Sequence, residues 1–160
     1  MRATELTLRR SFALAFDDGD DFVKELTGFC AEQGIRQAII PMFLGGFRWV
    51  RLVGTTGPLD DPEAPVWDET VLETVEAVGA GTLAWSPDAD ALAPHLHVAV
   101  GRKDLKAAGS VSHLVGAEVQ FIQEMALQEV VSPLMLRPEC GPHSVPTLTF
   151  EAPSLTIPLS

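Results

Sequence analysis

The sequence predicts an α+β domain in which antiparallel strands dominate and one amphipathic helix, about residues 19–33, covers a face of the sheet. Three observations carry this prediction. Asp17-Asp18-Gly19-Asp20-Asp21 opens a stretch whose apolar residues Phe22, Val23, Leu26, Phe29 and Cys30 recur at helical spacing. Short β-rich runs, one before the helix and several after it, are punctuated by glycine and proline. A length of 160 residues suits one ordinary core and not two. Residues 1–160 therefore read as a single domain, with a core over about 10–136 and a proline-rich C-terminal extension over 137–160.

Taken in order, residues 11–16 form an apolar run suited to a strand. The acidic cluster after it supplies N-cap residues and places carboxylates at the positive end of the helix. Gly34 supplies its stop. Residues 37–44 (QAIIPMFL) and 47–53 (FRWVRLV) flank Gly45-Gly46 and predict a hairpin turning on the glycine pair. Pro41 inside the first run predicts an edge position or a bulge. Three prolines and two glycines over 54–67 predict a long loop. Residues 71–78 and 82–85 are two more strand candidates, separated by Gly79 and Gly81; Glu73 and Glu76 leave a short helix as the alternative for the first. Residues 95–100 alternate as a strand that ends at Gly101, and a basic turn over 102–106 follows. Residues 111–136 are too long for one ordinary strand, so a break or bend is expected at Gly116 and Pro133. The last stretch predicts an extended arm docking on a neighbouring subunit.

Charge excludes several partners. The chain has 22 acidic and 11 basic side chains, a formal charge of −11, which disfavours a phosphate backbone and anionic lipid. The surplus is uneven: residues 1–51 hold seven acidic and seven basic groups, whereas 52–101 hold nine acidic groups and no Lys or Arg. That stretch ends with His95 and His97, so its acidity fits a cation site better than an anion site. No apolar run is long enough for a membrane helix, and the first residues lack the apolar core of a secretory signal. Cys30 and Cys140 lie 110 positions apart and form no redox or metal motif. A reduced, cytoplasmic protein is the expectation.

The candidate chemistry lies in the histidines. In His95-Leu96-His97 the spacing puts both rings on one face of a strand, roughly 6–7 Å apart at the backbone. His113 could come from the adjacent antiparallel strand, because residues 101–112 suffice to turn the chain back. Three neutral imidazoles suit Zn²⁺ or another divalent first-row metal and leave a coordination position open. The alternative is a set of ordinary strand histidines. Glu118 and Glu124 follow on the same apolar segment, and a carboxylate near such a metal could act as general acid or base. Unbroken alternation from His113 puts both on the opposite face; a bulge near Gly116 would correct it. No GxGxxG or P-loop motif is present. Trp49, Trp67 and Trp85, with no tyrosine, suit a core more than a base-stacking platform.

In combination these features resemble a known family. Asp-Asp-Gly-Asp-Asp opens the helix, Glu32-Gln33-Gly34-Ile35-Arg36 leads out of it, and Gly45-Gly46 and Glu76…Gly79…Gly81 follow. His95-Leu96-His97-Val98, Gly109…His113-Leu114 and Glu124 complete the series. Over roughly residues 10–130 the chain resembles the PPC (or PCC) domain, the plants and prokaryotes conserved domain, also described as DNA-binding with a PD1-like motif. The resemblance implies an α+β fold similar in architecture to acetolactate decarboxylase, assembled as a homotrimer. It implies zinc held near a subunit interface by His95, His97 and His113. It gives Glu124 the family glutamate's place, as the candidate catalytic general acid or base of a lyase- or hydrolase-like activity on an unknown small molecule. Ser110-Val111-Ser112 stands where the family has glycines before the last histidine. No AT-hook accompanies the domain. A DNA-associated regulatory module and a trimeric scaffold without catalysis are the alternatives.

Overall fold

The computed structural model describes residues 1–55, 67–140 and 143–151. Most of the loop expected over 54–67, and the end of the C-terminal extension, lie outside the described residues. The strands are β1 (Thr7–Asp17), β2 (Ala38–Gly54), β3 (Asp68–Ser86), β4 (Ala91–Arg102), β5 (Ala108–Ser132) and β6 (Leu134–Leu136). Three short ones follow, β7 (Glu139–Cys140), β8 (Val145–Pro146) and β9 (Thr149–Glu151). The helix α1 spans Phe22–Glu32. The fold is thus mostly antiparallel β with one short helix, as the patterning predicts.

The sheet closes on itself. β2 pairs with β3, β3 with β4, β4 with the first part of β5, and β5 returns to β2, making a small barrel. β1 pairs antiparallel with the second half of β5. Inward residues alternate along each strand: Phe43, Phe47, Val50 and Leu52 on β2, Leu96, Val98 and Val100 on β4, and Leu114, Ala117 and Val119 on β5 are all buried. The helix completes this core through Phe22, Leu26 and Cys30, the residues its periodicity singles out. Phe22 meets the rings of Phe16, Phe43 and Phe47 at centroid distances of 4.8, 5.2 and 5.2 Å. Asp21 caps the helix by accepting from Lys24 N at 3.1 Å, and Gly34 ends it at φ +66°.

Two glycine readings are corrected. Gly45-Gly46 is not a turn, because β2 runs unbroken through it. The pair sits where β5 carries two extra residues, Phe121 and Ile122, between the partners of Gly46 and Gly45. A Cβ at either glycine would strike a β5 carbonyl, Ile122 O or Gln120 O, so the glycines serve close approach of two strands. Likewise, Gly79 and Gly81 do not separate two strands. They lie inside the single β3, facing the barrel interior, where added Cβ atoms would meet Phe43 and His97 O, and His95 O and Leu96, respectively. The Phe43 ring fills the room left at Gly79, and the Leu96 side chain that at Gly81.

The other expectations concern irregularities. Pro41 coincides with a register shift between Ile40 and Phe43, the expected bulge. On β5, Arg51 pairs with Gly116 but Leu52 pairs with Leu114, so Val115 is an extra residue at the expected place. Pro133 separates β5 from β6. The described part of the extension is no free arm. β6 adds to β3 through Trp85 and Leu136, and β9 pairs with β6.

Charge pairing fixes β1 against the barrel. The carboxylate of Glu129 on β5, its side chain only 6% exposed, accepts from Arg9 Nη2 and Arg10 Nε at 2.6 Å each. Hydrogen bonding by Arg10 leads the effects that hold its pKa down at about 2. This contribution to stability is present above the ordinary value of 4.5 and is lost as pH falls towards 2. Unfolding free energies from urea titrations of the native chain and a Glu129→Gln variant should therefore differ at pH 7, by about 3 kcal/mol, and converge near the folded-state pKa. Equal free energies at pH 7 would remove the pairing from the stability of the fold. Gly81→Ala tests the close approach of β3 and β4: overpacking against His95 O should cost about 1–3 kcal/mol in thermal unfolding.

Candidate metal centre

β4 and β5 bring the three predicted histidines together. His97 and His113 are direct partners across the two strands, and His95 lies two residues back on β4, on the same face. Leu96 and Leu114, the pair next to them, point into the barrel, so all three rings stand on its outer surface. Their centroids are 4.8–5.4 Å apart. One nitrogen from each lies within 4.8 Å of the others; His95 and His113 are half-buried and His97 is exposed.

This donor set fits a metal ion. Three nitrogens at about 2.0–2.1 Å from one Zn²⁺ stand roughly 3.3 Å apart in tetrahedral geometry, which modest side-chain rotation reaches from the present spacing. Two of the rings, His95 and His113, are also biased towards the neutral form. Burial, then the positive charge of Arg137, then the neighbouring histidines push His95 down to about 4. His113 is lowered by burial, His97 and Arg137. Neutral imidazoles offer their lone pairs without proton competition at physiological pH.

The remaining predicted site residues are elsewhere. Glu124 is exposed on β5, opposite Leu44 of β2, whereas His113 is opposite Val53. Nine positions along β2 separate these places, a path of about 30 Å. Glu124 lines a shallow groove with Ala13, Leu14, Ala15 and Met42. The Val115 bulge does bring Glu118 onto the histidine face, since Ala117 opposite Val50 is buried and Glu118 opposite Trp49 is not. There, however, it accepts from Trp49 Nε1 at 3.1 Å and faces Arg48 Nε at 3.2 Å, further along the strand than the rings. The described acids of the 52–101 stretch do not converge on the cluster. Asp68, Glu69, Glu73 and Glu76 occupy the far half of β3.

Arg137 is the residue that sequence reasoning missed. Its backbone N–H donates to Trp85 O at 2.8 Å, which seats it beside β3, and its Nη2 donates to Thr82 Oγ1 at 2.7 Å. Thr82 is the cross-strand partner of His95. Position 137 lies in the stretch read as an arm, and only the pairing of β6 with β3 brings it to the site.

A pH titration checks the electrostatics. In metal-free protein, the folded-state pKa of His95 lies below its ordinary value of 6.5, so protonation favours the unfolded chain. Stability from this group is full above 6.5 and declines as pH falls towards about 4. The ring resonances of His95, followed by NMR, should move only near the lower value; a midpoint near 6.5 would contradict the burial and the influence of Arg137.

A family model for the Plants and Prokaryotes Conserved (PCC) domain matches residues 3–131. None of the curated proteins matches the chain in sequence. Among solved structures it is similar to a metal-containing protein from Archaeoglobus fulgidus, at 22% identity and a TM-score of 0.77, covering 93% of this chain and 99% of that one. It is similar also to a plant- and prokaryote-conserved (PPC) protein from Pyrococcus horikoshii, at 20% identity and a TM-score of 0.77, over 97% and 100% of the two chains. A more distant likeness is acetolactate decarboxylase from Bacillus subtilis subspecies spizizenii, at 16% identity and a TM-score of 0.52, over 84% of this chain and 57% of the enzyme.

Proposed function

The chain belongs to the Plants and Prokaryotes Conserved (PCC) domain family, and from that premise we propose that it is a metal-binding protein whose His95, His97 and His113 hold one Zn²⁺ ion. The observation that carries this is the convergence of three imidazole nitrogens within 4.8 Å on paired strands. The metal-containing relative of the same fold supports it. Three neutral ligands leave a fourth position for a small molecule, whose oxygen a bound zinc ion would polarise as a Lewis acid.

The working form is a homotrimer. Beside the histidines, on the same outer face, Val78 and Val111 flank Ala99 across three strands and are 55% and 74% exposed. An apolar surface continuous with the site suits burial against another copy, which would also enclose the exposed His97. Glu124 cannot reach the histidines of its own chain, so its role as general acid or base requires that a neighbouring copy present it there.

A DNA-associated module is the weaker reading. Arg9 and Arg10 share Glu129, Arg48 pairs with Asp18, and Arg102 with Asp104, so these arginines are engaged by carboxylates where phosphate contact needs them free. No helix among the described residues is long and apolar enough to cross a membrane.

Metal analysis combined with native mass measurement tests the proposal. About one zinc per chain in a particle of three chains is expected, and His97→Ala should lose at least tenfold in zinc affinity while keeping its fold. Zinc-treated native protein that retains less than about a tenth of an ion per chain after dialysis would overturn it.

A further inference from the structure

We infer that Arg137 makes the histidine site a receptor for a small organic carboxylate, which takes the open position on the metal and pairs with the guanidinium at once. The inference rests on the metal reading above and adds the class of ligand.

The argument begins with an uncompensated charge. Arg137 is only 4% exposed. Its Nη2 is committed to a neutral hydroxyl, that of Thr82, and its Nε is buried without a hydrogen-bond partner. Among the described residues no carboxylate pairs with it, whereas Arg9, Arg10, Arg48 and Arg102 all have one within 2.6 Å. A buried guanidinium is costly unless an anion compensates it. Binding a divalent ion to three neutral imidazoles adds two further positive charges beside the first and no negative one. Among the described residues of the same chain nothing supplies the counter-charge, and a neighbouring copy's Glu124 would offset only one of the three positive charges, which leaves the remainder to an anionic ligand.

The surroundings select the kind of anion. A planar guanidinium matches the two oxygens of a carboxylate, and a carboxylate or adjacent hydroxyl oxygen binds zinc at about 2.0–2.2 Å. Two attachment points, the ion and Arg137, suit a 2-hydroxy or 2-oxo acid. The adjacent surface is apolar: Ala80 is the cross-strand partner of His97, at the edge of the valine surface that another copy covers. An alkyl body finds contact there, which inorganic phosphate lacks.

Titration calorimetry on the zinc-loaded native protein, with lactate, pyruvate and inorganic phosphate as probes, tests this. The two carboxylates should bind, and more tightly than phosphate. Arg137→Gln should weaken them at least tenfold with zinc content unchanged. Arg137→Lys, which keeps the charge and loses the planar fork, should fall between and serves if the glutamine variant does not fold. Equal carboxylate affinity in native and variant proteins, tighter binding of phosphate, or no carboxylate binding to the loaded native protein would overturn the inference. Zinc analysis of the same samples separates the two proposals. If the native protein holds no zinc, the metal reading fails alone, and the metal-free titration decides: Arg137-dependent carboxylate binding upholds the anion receptor, and its absence overturns that as well.

Discussion

The pairing of β4 with β5 is the contact on which the rest depends. It closes β2, β3, β4 and β5 into a barrel and sets His97 opposite His113 in the same register step. Leu96 and Leu114, paired next to them, drive that register by burial, because a one-residue slip of either strand would expose its leucine and turn its imidazole inward. The site is thus a by-product of core packing: the apolar alternation that folds the barrel also aims the ligands out of it. The interior glycines of β3 serve the same end, since they let β4 lie close enough for His95 to stand over Thr82.

The electrostatics of this surface are opposite to what the charge count suggests. A chain of net charge −11 presents at its histidines a buried arginine, with His95 and His113 biased towards the neutral form. The acids that account for the surplus stand on the far half of β3, in the β3–β4 turn at Asp88 and Asp90, or outside the described residues. Net charge governs approach from a distance, whereas the local partners of a side chain govern what binds. The two point to different ligands here.

Local order was legible where one short pattern decides it. The α1 face, its Asp cap and the His95/His97 pair follow from periodicities of 3.6 and 2, and His113 follows from the length of the connecting turn. The irregularities at Pro41, Val115 and Pro133 were also foreseeable, from proline chemistry and from a strand too long to stay regular. Gly45-Gly46 and Gly79/Gly81 were not, because a glycine that opens a turn and one that admits a neighbouring carbonyl look alike in sequence. Arg137 was beyond reach for a different reason. Its place depends on the parallel addition of β6 to β3, a contact between residues 51 positions apart with no pattern of its own. For Glu124 the chain alone supplies position on a strand, and its partner groups depend on assembly.

The Val115 bulge has a consequence for how this domain tolerates change in length. Because Val115 and Gly116 together oppose Arg51, the sheet counts them as one residue, and the facing of every position from Ala117 onward is independent of whether the extra residue is there. Loss of Val115 would leave a regular strand with the histidines outside and the core residues inside. A deletion elsewhere in the regular stretches of β5 would invert that arrangement. This position can therefore lose one residue between the last histidine and the second half of the strand while the chain still builds the same surface.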